Sequence, residues 1–236
     1  MSNLSKYITL LEKLTNKKVR LIEEENSDNN ILIPRRSPEE RQKNYIIAIN
    51  KKIQEYIKNG NEGDLDLSNT PIETLPDNLI EVNGRLNLAN CKNLKSLNNL
   101  KYVEGDLDLS ECKNLISLNN LKYVNGYLDL SYCINLIELP DSLSVGGSLY
   151  LSNTSIKKLP DSLTNLYGDL DLTNCKNLKD LNNLRYVEGC LYLSNTLIER
   201  LPDDLIIRGI IYLVNTPLVK NEKLLNQYRK KLDIIV

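Results

Sequence analysis

The chain has 236 residues, a formal net charge of −1 and 26% charged side chains. So even a balance gives no bulk electrostatic case for nucleic acid or an anionic membrane as partner. Histidine, tryptophan and phenylalanine are absent, which excludes histidine-based catalytic dyads, and the abundance of asparagine, lysine, isoleucine and tyrosine reads as the imprint of an AT-rich genome.

Met1 to Lys18 alternates polar and apolar residues. It lacks the apolar run of roughly 7–15 residues that marks a secretory signal, and no later window reaches membrane-spanning length. A cytoplasmic protein is expected. Leu4, Tyr7, Ile8, Leu11 and Leu14 make a short helical stripe, and the polar stretch Glu23 to Arg36 is expected to be flexible. Residues 1–36 read equally as a cap or as a docking peptide. From Ser37 the text S-P-E-E starts a helix, with Ser37 as N-cap, Pro38 at the first position and Glu40 completing a capping box. Ile46, Ile49, Ile53, Tyr56 and Ile57 give it one apolar stripe, and Gly60 stops it. Residues 37–62 are therefore expected to form an N-terminal capping helix.

From Gly63 a repeat takes over. Gly63, Gly84, Gly105, Gly126, Gly147, Gly168 and Gly189 each open a G-x-L-x-L-x-x-[TC] phrase, at six successive intervals of 21 residues, and Gly209 comes after 20. A fixed period of this size signals a solenoid, in which each turn buries its apolar face against its neighbours. The skeleton of the first unit is Leu65, Leu67, Ile72, Leu75, Leu79 and Val82. Its L-x-L start alternates with period two, which predicts a short strand with leucines inward. The remaining stretch of about ten residues, with L-P-D-x-L or L-N-N-L, is too short for a crossover helix; it predicts a turn or one turn of 3-10 helix between stacked parallel strands. Cys91, Cys112, Cys133 and Cys175 share one repeat position with Thr70, Thr154, Thr196 and Thr216, and read as a ladder of buried free thiols. Cys190 falls on an outward position. After the array, which ends near residue 218, Leu224, Leu225, Tyr228 and Leu232 predict a second amphipathic helix; with the tail Ile234, Ile235 and Val236 it makes 219–236 a C-terminal cap.

The phrase carried by Leu86, Leu88, Cys91 and Leu94 resembles the L-x-x-L-x-L-x-x-[NC]-x-L core of leucine-rich repeats over about residues 63–218. Glycine stands where that family has its first leucine, and threonine or cysteine fills the position usually held by asparagine. The L-P-D phrases at 75–77, 139–141, 159–161 and 201–203 are most similar to bacterial repeats of the family, including those on secreted effector ubiquitin ligases. The resemblance implies an α/β repeat with a parallel concave sheet and helical caps at both ends, binding another macromolecule through the concave face. Those ligases carry a separate domain with a nucleophilic cysteine. This chain runs only about 18 residues past its last repeat, so no enzymatic activity is expected. Leu11 to Val19 is similar to short segments of bacteriophage proteins.

Alternate strand positions form columns that project outward. The second column reads Asp64, Arg85, Asp106, Tyr127, Ser148, Asp169, Cys190 and Ile210, and the fourth Asp66, Asn87, Asp108, Asp129, Tyr150, Asp171, Tyr192 and Tyr212. Neighbouring carboxylates such as Asp108 and Asp129, about 5 Å apart, repel by roughly 0.8 kcal/mol at the dielectric of water, and a cationic partner relieves that repulsion. The tyrosines supply stiff contact area with a polar tip. The aspartates and tyrosines of these columns are thus the candidate partner-binding residues. The plainer reading is that aspartate keeps an exposed sheet soluble and tyrosine suits strands. No metal-ligand spacing, calcium-loop signature or cofactor motif is present. The expected function is a non-enzymatic module for a basic protein or peptide. The alternative is a structural component of a larger assembly, such as a phage particle, anchored by residues 1–36.

Overall fold

A computed structural model describes residues 37–236; the short helix, the polar stretch and the phage-like phrase expected within 1–36 lie outside the described residues. The chain divides into two compact units, 1–51 and 52–236. A helix, α1, runs over Pro38–Lys58. Its start is the expected capping box: the Glu40 N–H donates to Ser37 Oγ at 3.1 Å and the Ser37 N–H to Glu40 Oε2 at 3.4 Å. Gly60, with φ of 86°, turns the chain out of the helix.

Within 52–236 the chain winds as a parallel-strand β-solenoid of about eight turns at the 21-residue spacing. The L-x-L leucines do what their alternation requires. Two-residue strands at Leu65–Asp66, Leu86–Asn87, Leu107–Asp108, Leu128–Asp129, Leu149–Tyr150, Leu170–Asp171, Leu191–Tyr192 and Ile211–Tyr212 stack in parallel, leucine on leucine until Leu191 meets Ile211. A ninth strand, Ile234–Ile235, pairs with Ile211–Tyr212; the apolar tail adds to the sheet. The core is a column of apolar side chains per skeleton position, leucine at most of them and mainly valine at the Val82 position, nearly all without solvent contact.

The return segments hold the expected turns, as where the Leu79 N–H donates to the Pro76 carbonyl at 3.0 Å and the Leu100 N–H to that of Leu97 at 3.2 Å. Their backbones form two further parallel sheets, one of four strands between Glu81–Val82 and Ser144–Val145, the other of three strands from Asn165–Leu166 through Tyr186–Val187 to Ile206–Ile207. Each return runs beside its copy in the next turn at the same register, so N–H groups pair sideways, as Glu104 N does with the Val82 carbonyl at 2.9 Å, instead of closing a helix. Helix is therefore no part of the repeat. Among the described residues the 3-10 helix is Pro217–Lys220 and the α-helices are α1 and α2, Glu222–Tyr228.

Segments of both α-helices contact solenoid residues. In α1, Ile53 and Tyr56 are buried; the Tyr56 hydroxyl donates to the carbonyls of Asn61 and Gly63, and the Lys52 ammonium to that of Asp66. In α2, Leu225 is buried, and Tyr228 Oη accepts the Leu201 N–H at 3.1 Å and lies 2.8 Å from its carbonyl.

Part of the asparagine content has a structural role. Asn69, Asn90, Asn153, Asn174, Asn195 and Asn215 hold left-handed backbone at the end of each strand, with φ of 58–62°, a region asparagine tolerates better than most residues. Three amides also bond turn to turn: Asn90 to Asn69, Asn174 to Asn153 and Asn215 to Asn195, at 2.7–3.1 Å. Glu111 and Tyr132 occupy the same position with φ of 62° and carry a backbone cost of about 1 kcal/mol. Tyr132→Asn is expected to raise Tm by about 3 °C, measured by thermal unfolding; an unchanged or lower Tm would show that Tyr132 contributes contacts outweighing its strain.

Candidate functional site

The outward face of the nine-stranded sheet carries every predicted site residue. Its carboxylates are not free. In the second column, Oδ1 of Asp64, Asp106 and Asp169 accepts the N–H of the same position one turn on, from Arg85 at 2.8 Å, Tyr127 at 3.0 Å and Cys190 at 2.8 Å. Glycine makes this possible: a Cβ at Gly126 or Gly189 would lie 2.1 Å from the Asp106 or Asp169 oxygen. In the fourth column Asp66, Asp108, Asp129 and Asp171 each accept the N–H two residues ahead, from Ser68, Ser110, Ser131 and Thr173 at 2.8–3.0 Å. These are Asx turns, which end the strand and feed the left-handed residue beyond it. All seven predicted aspartates thus hold the backbone with one oxygen. The signal for the four Asx turns lay in the recurring D-L-[ST] triplet.

The structure sorts the remaining groups along the stack. Arg85 Nη2 lies 3.7 Å from Asp108 Oδ2, and its guanidinium sits 5.9 Å from the Tyr127 ring centroid. Tyr127 meets Tyr150 edge to face at 6.2 Å, while Tyr192 and Tyr212, adjacent in one column, stack at 4.8 Å with planes 4° apart. The sheet spacing sets that distance. The predicted residues therefore form an acidic stretch with one internal cation, an edge-to-face tyrosine pair, the Asp169–Asp171 turn, and a stacked tyrosine pair.

Local environment separates the acids electrically. Burial pushes the Asp129 carboxyl above the ordinary range, against the lowering effect of its Ser131 bonds, and its neighbours Asp108 and Asp171 push the same way. The Ser68 backbone N–H leads the effects that hold Asp66 below the ordinary range, with Lys52 and Arg85 adding to it. Burial pushes Tyr192 up to about 12, so its hydroxyl stays a neutral donor.

The cysteine ladder lies inside. Cys91, Cys112, Cys133 and Cys175 are buried, unpaired, and donate Sγ–H to the carbonyls of Leu67, Leu88, Leu109 and Leu151 at 3.1–3.2 Å. Threonine at the same position donates within its own turn, as Thr154 does to Leu151. Burial pushes Cys112 up to about 12 and Cys175 to about 11, leaving no thiolate for chemistry near neutrality. Cys190 is half-buried, its sulfur accepting the Ile210 N–H at 3.4 Å. Lys113 pairs with Glu111 and Lys95 with Glu73 on the exposed edge. No group of three or more metal-ligating side chains, and no helix long and apolar enough to cross a membrane, occurs among the described residues.

No protein-family model and no curated protein matches this chain.

Two outcomes are expected. Asp129 binds its proton more tightly folded than unfolded, so its ionised form costs stability at neutral pH, and the cost disappears as pH falls through its raised pKa. Asp66 has the opposite sign: its stabilisation is present above the unfolded pKa and is lost as pH falls through the depressed one. Asp129→Asn should therefore raise Tm at pH 7 and Asp66→Asn lower it, both effects fading at acid pH; equal signs would contradict the assignment. A thiol-reactive reagent at pH 8 should modify one cysteine rapidly and the other four only on unfolding. Rapid modification of two or more would contradict the buried ladder.

Proposed function

We propose that the chain is a leucine-rich repeat protein, capped by the Lys52–Lys58 end of α1 and by α2 with the tail strand, that binds a basic protein or peptide without catalysis. The L-x-L strands, the 21-residue register and the buried cysteine and threonine ladder support the family. The helix contacts with Asp66, Gly63 and Leu201 support the caps. The unpaired cysteines suit a reducing compartment such as the cytoplasm.

One observation carries the binding role: the face is pre-ordered. Each aspartate is fixed by a backbone bond to one oxygen, and the tyrosines are fixed by ring contacts with one another. A partner binding here orders few new side chains, a cost of about 0.5–1.5 kcal/mol for each one immobilised elsewhere. The second carboxylate oxygens supply charge for lysine or arginine, and the rings supply the buried area that dominates interface energy.

The test is a selection of displayed basic peptides against the wild-type protein, with the chosen peptides rebound to variants. Replacing Asp106, Asp108 and Asp129 together by asparagine keeps the backbone acceptors and removes three charges. Affinity should fall by about tenfold, on the order of 0.5 kcal/mol for each exposed pair, with a flatter salt dependence. Tyr192→Ala should cost about 2 kcal/mol. Peptides bound equally by all variants would place recognition elsewhere.

A further inference from the structure

We propose that the outer edge of the Ile234–Ile235 strand takes up one further strand from a partner, an extended peptide segment with an aliphatic centre and acidic flanks. This strand stands at one end of the nine-stranded sheet. The site is the sheet's edge, not its outward face, and it calls for the opposite charge, so the inference goes beyond the proposed binding of a basic partner.

The edge is open in its backbone. In each turn the inward residue of the strand donates its N–H to the turn that follows, as Leu191 does to the Ile210 carbonyl. Ile211 and Leu213 donate in this way onto the tail strand, to the Asp233 and Ile235 carbonyls at 2.9 Å. Ile234 and Val236 hold the same two positions one strand further on. Among the described residues no hydrogen bond engages their N–H groups. The side chains agree. In the inward column Leu65, Leu86, Leu107 and Ile211 are buried, whereas Ile234 is only half-buried, and Ile235 and Val236 are 45% and 46% accessible. The opposite edge of the sheet is protected, with Leu65 buried and the Lys52 ammonium donating to the Asp66 carbonyl. An unprotected aliphatic edge is a template for another strand.

Charge says what covers it. Lys220, Lys223, Arg229, Lys230 and Lys231 lie in and around α2, which leads into the strand, against two carboxylates, Glu222 and Asp233. Elsewhere on the solenoid Lys95, Lys113, Lys158 and Arg185 each pair with a nearby carboxylate. Among the described residues none of the five cations beside the edge does so. A second copy placed edge to edge would bring two such clusters together, while an acidic segment relieves the excess charge. Strand addition takes affinity from the main chain and specificity from alternate side chains. An inward aliphatic residue of the partner covers Ile234. An outward one lies beside Ile235, which is in register with Tyr212 and so extends the Tyr192–Tyr212 column.

The experiment is a titration of the isotope-labelled full chain with the acidic peptide E-E-T-I-V-V-T-E-E, tracked by amide chemical shifts. The lysine-flanked peptide K-K-T-I-V-V-T-K-K is the comparison ligand, and sedimentation velocity reports the protein's own association state. The acidic peptide should shift the Ile234, Ile235 and Val236 amides with a Kd of about 1 mM or tighter. Val236→Pro removes one outward N–H at an edge position, where proline is tolerated, and should weaken binding by about tenfold without lowering Tm. Lys230→Glu combined with Lys231→Glu leaves the strand's own residues intact and should also weaken binding by about tenfold, with a flatter salt dependence. The asparagine triple variant of the sheet face should bind the acidic peptide as the wild type does, so failure here is separable from failure of the binding face. No shift of the three amides at millimolar peptide, equal shifts of them with the lysine-flanked peptide, unaltered binding in either edge variant, or a dimer that Val236→Pro dissociates would overturn the proposal.

Discussion

Everything in this structure depends on register: each turn repeats the last at 21 residues, so every side chain meets its own copy about 4.8 Å away. That condition selects residue types column by column. Leucine stacks on leucine inside. Glycine is needed where the Asp106 and Asp169 carboxylates fill the space a Cβ would take. Asparagine takes the left-handed position and reaches its neighbour's amide. Cysteine and threonine alternate freely in the ladder because both can donate to a buried carbonyl.

The same condition makes the surface informative. An exposed column in a solenoid is a line of side chains at fixed spacing, and its identity is set by neighbours as much as by solvent. On the nine-stranded sheet the aspartates keep one oxygen for the backbone and one for the outside. Structure and recognition are therefore two uses of one carboxylate, not rival explanations. The raised Asp129 and lowered Asp66 show the two ends of that compromise: burial dominates in the middle of the stack, backbone hydrogen bonding at its start.

Much of this was legible in the sequence. The inward leucines, the stacking, the capping box at Ser37 and the interior position of the cysteines are consequences of period and alternation. Tyr192 and Tyr212 share a column, so their stacking could be read directly; Tyr127 and Tyr150 lie in different columns, and their edge contact could not. The return strands were illegible because two residues, such as Tyr102 and Val103, carry no period. The tail strand Ile234–Ile235 read only as an apolar stretch, since its pairing with Ile211–Tyr212 is tertiary. Tyr167 is the one aromatic residue in a column otherwise made of Glu62, Asn83, Glu104, Asn125, Gly146, Glu188 and Arg208. A single departure from a repeat has no periodic signal, yet it is where one turn gains a property its neighbours lack.

The central claim is that the acidic and aromatic face is fixed in place by its own backbone bonds. Amide hydrogen exchange tests it most directly, because the N–H groups of Arg85, Tyr127, Cys190, Ser110, Ser131 and Thr173 are bonded to side-chain carboxylates. Those amides should be protected to nearly the degree of Leu107 and Leu128, whose N–H groups bond to the next turn's backbone. Exchange at the rate of an open surface loop would mean that the carboxylates are mobile, and that the face is not ordered before a partner arrives.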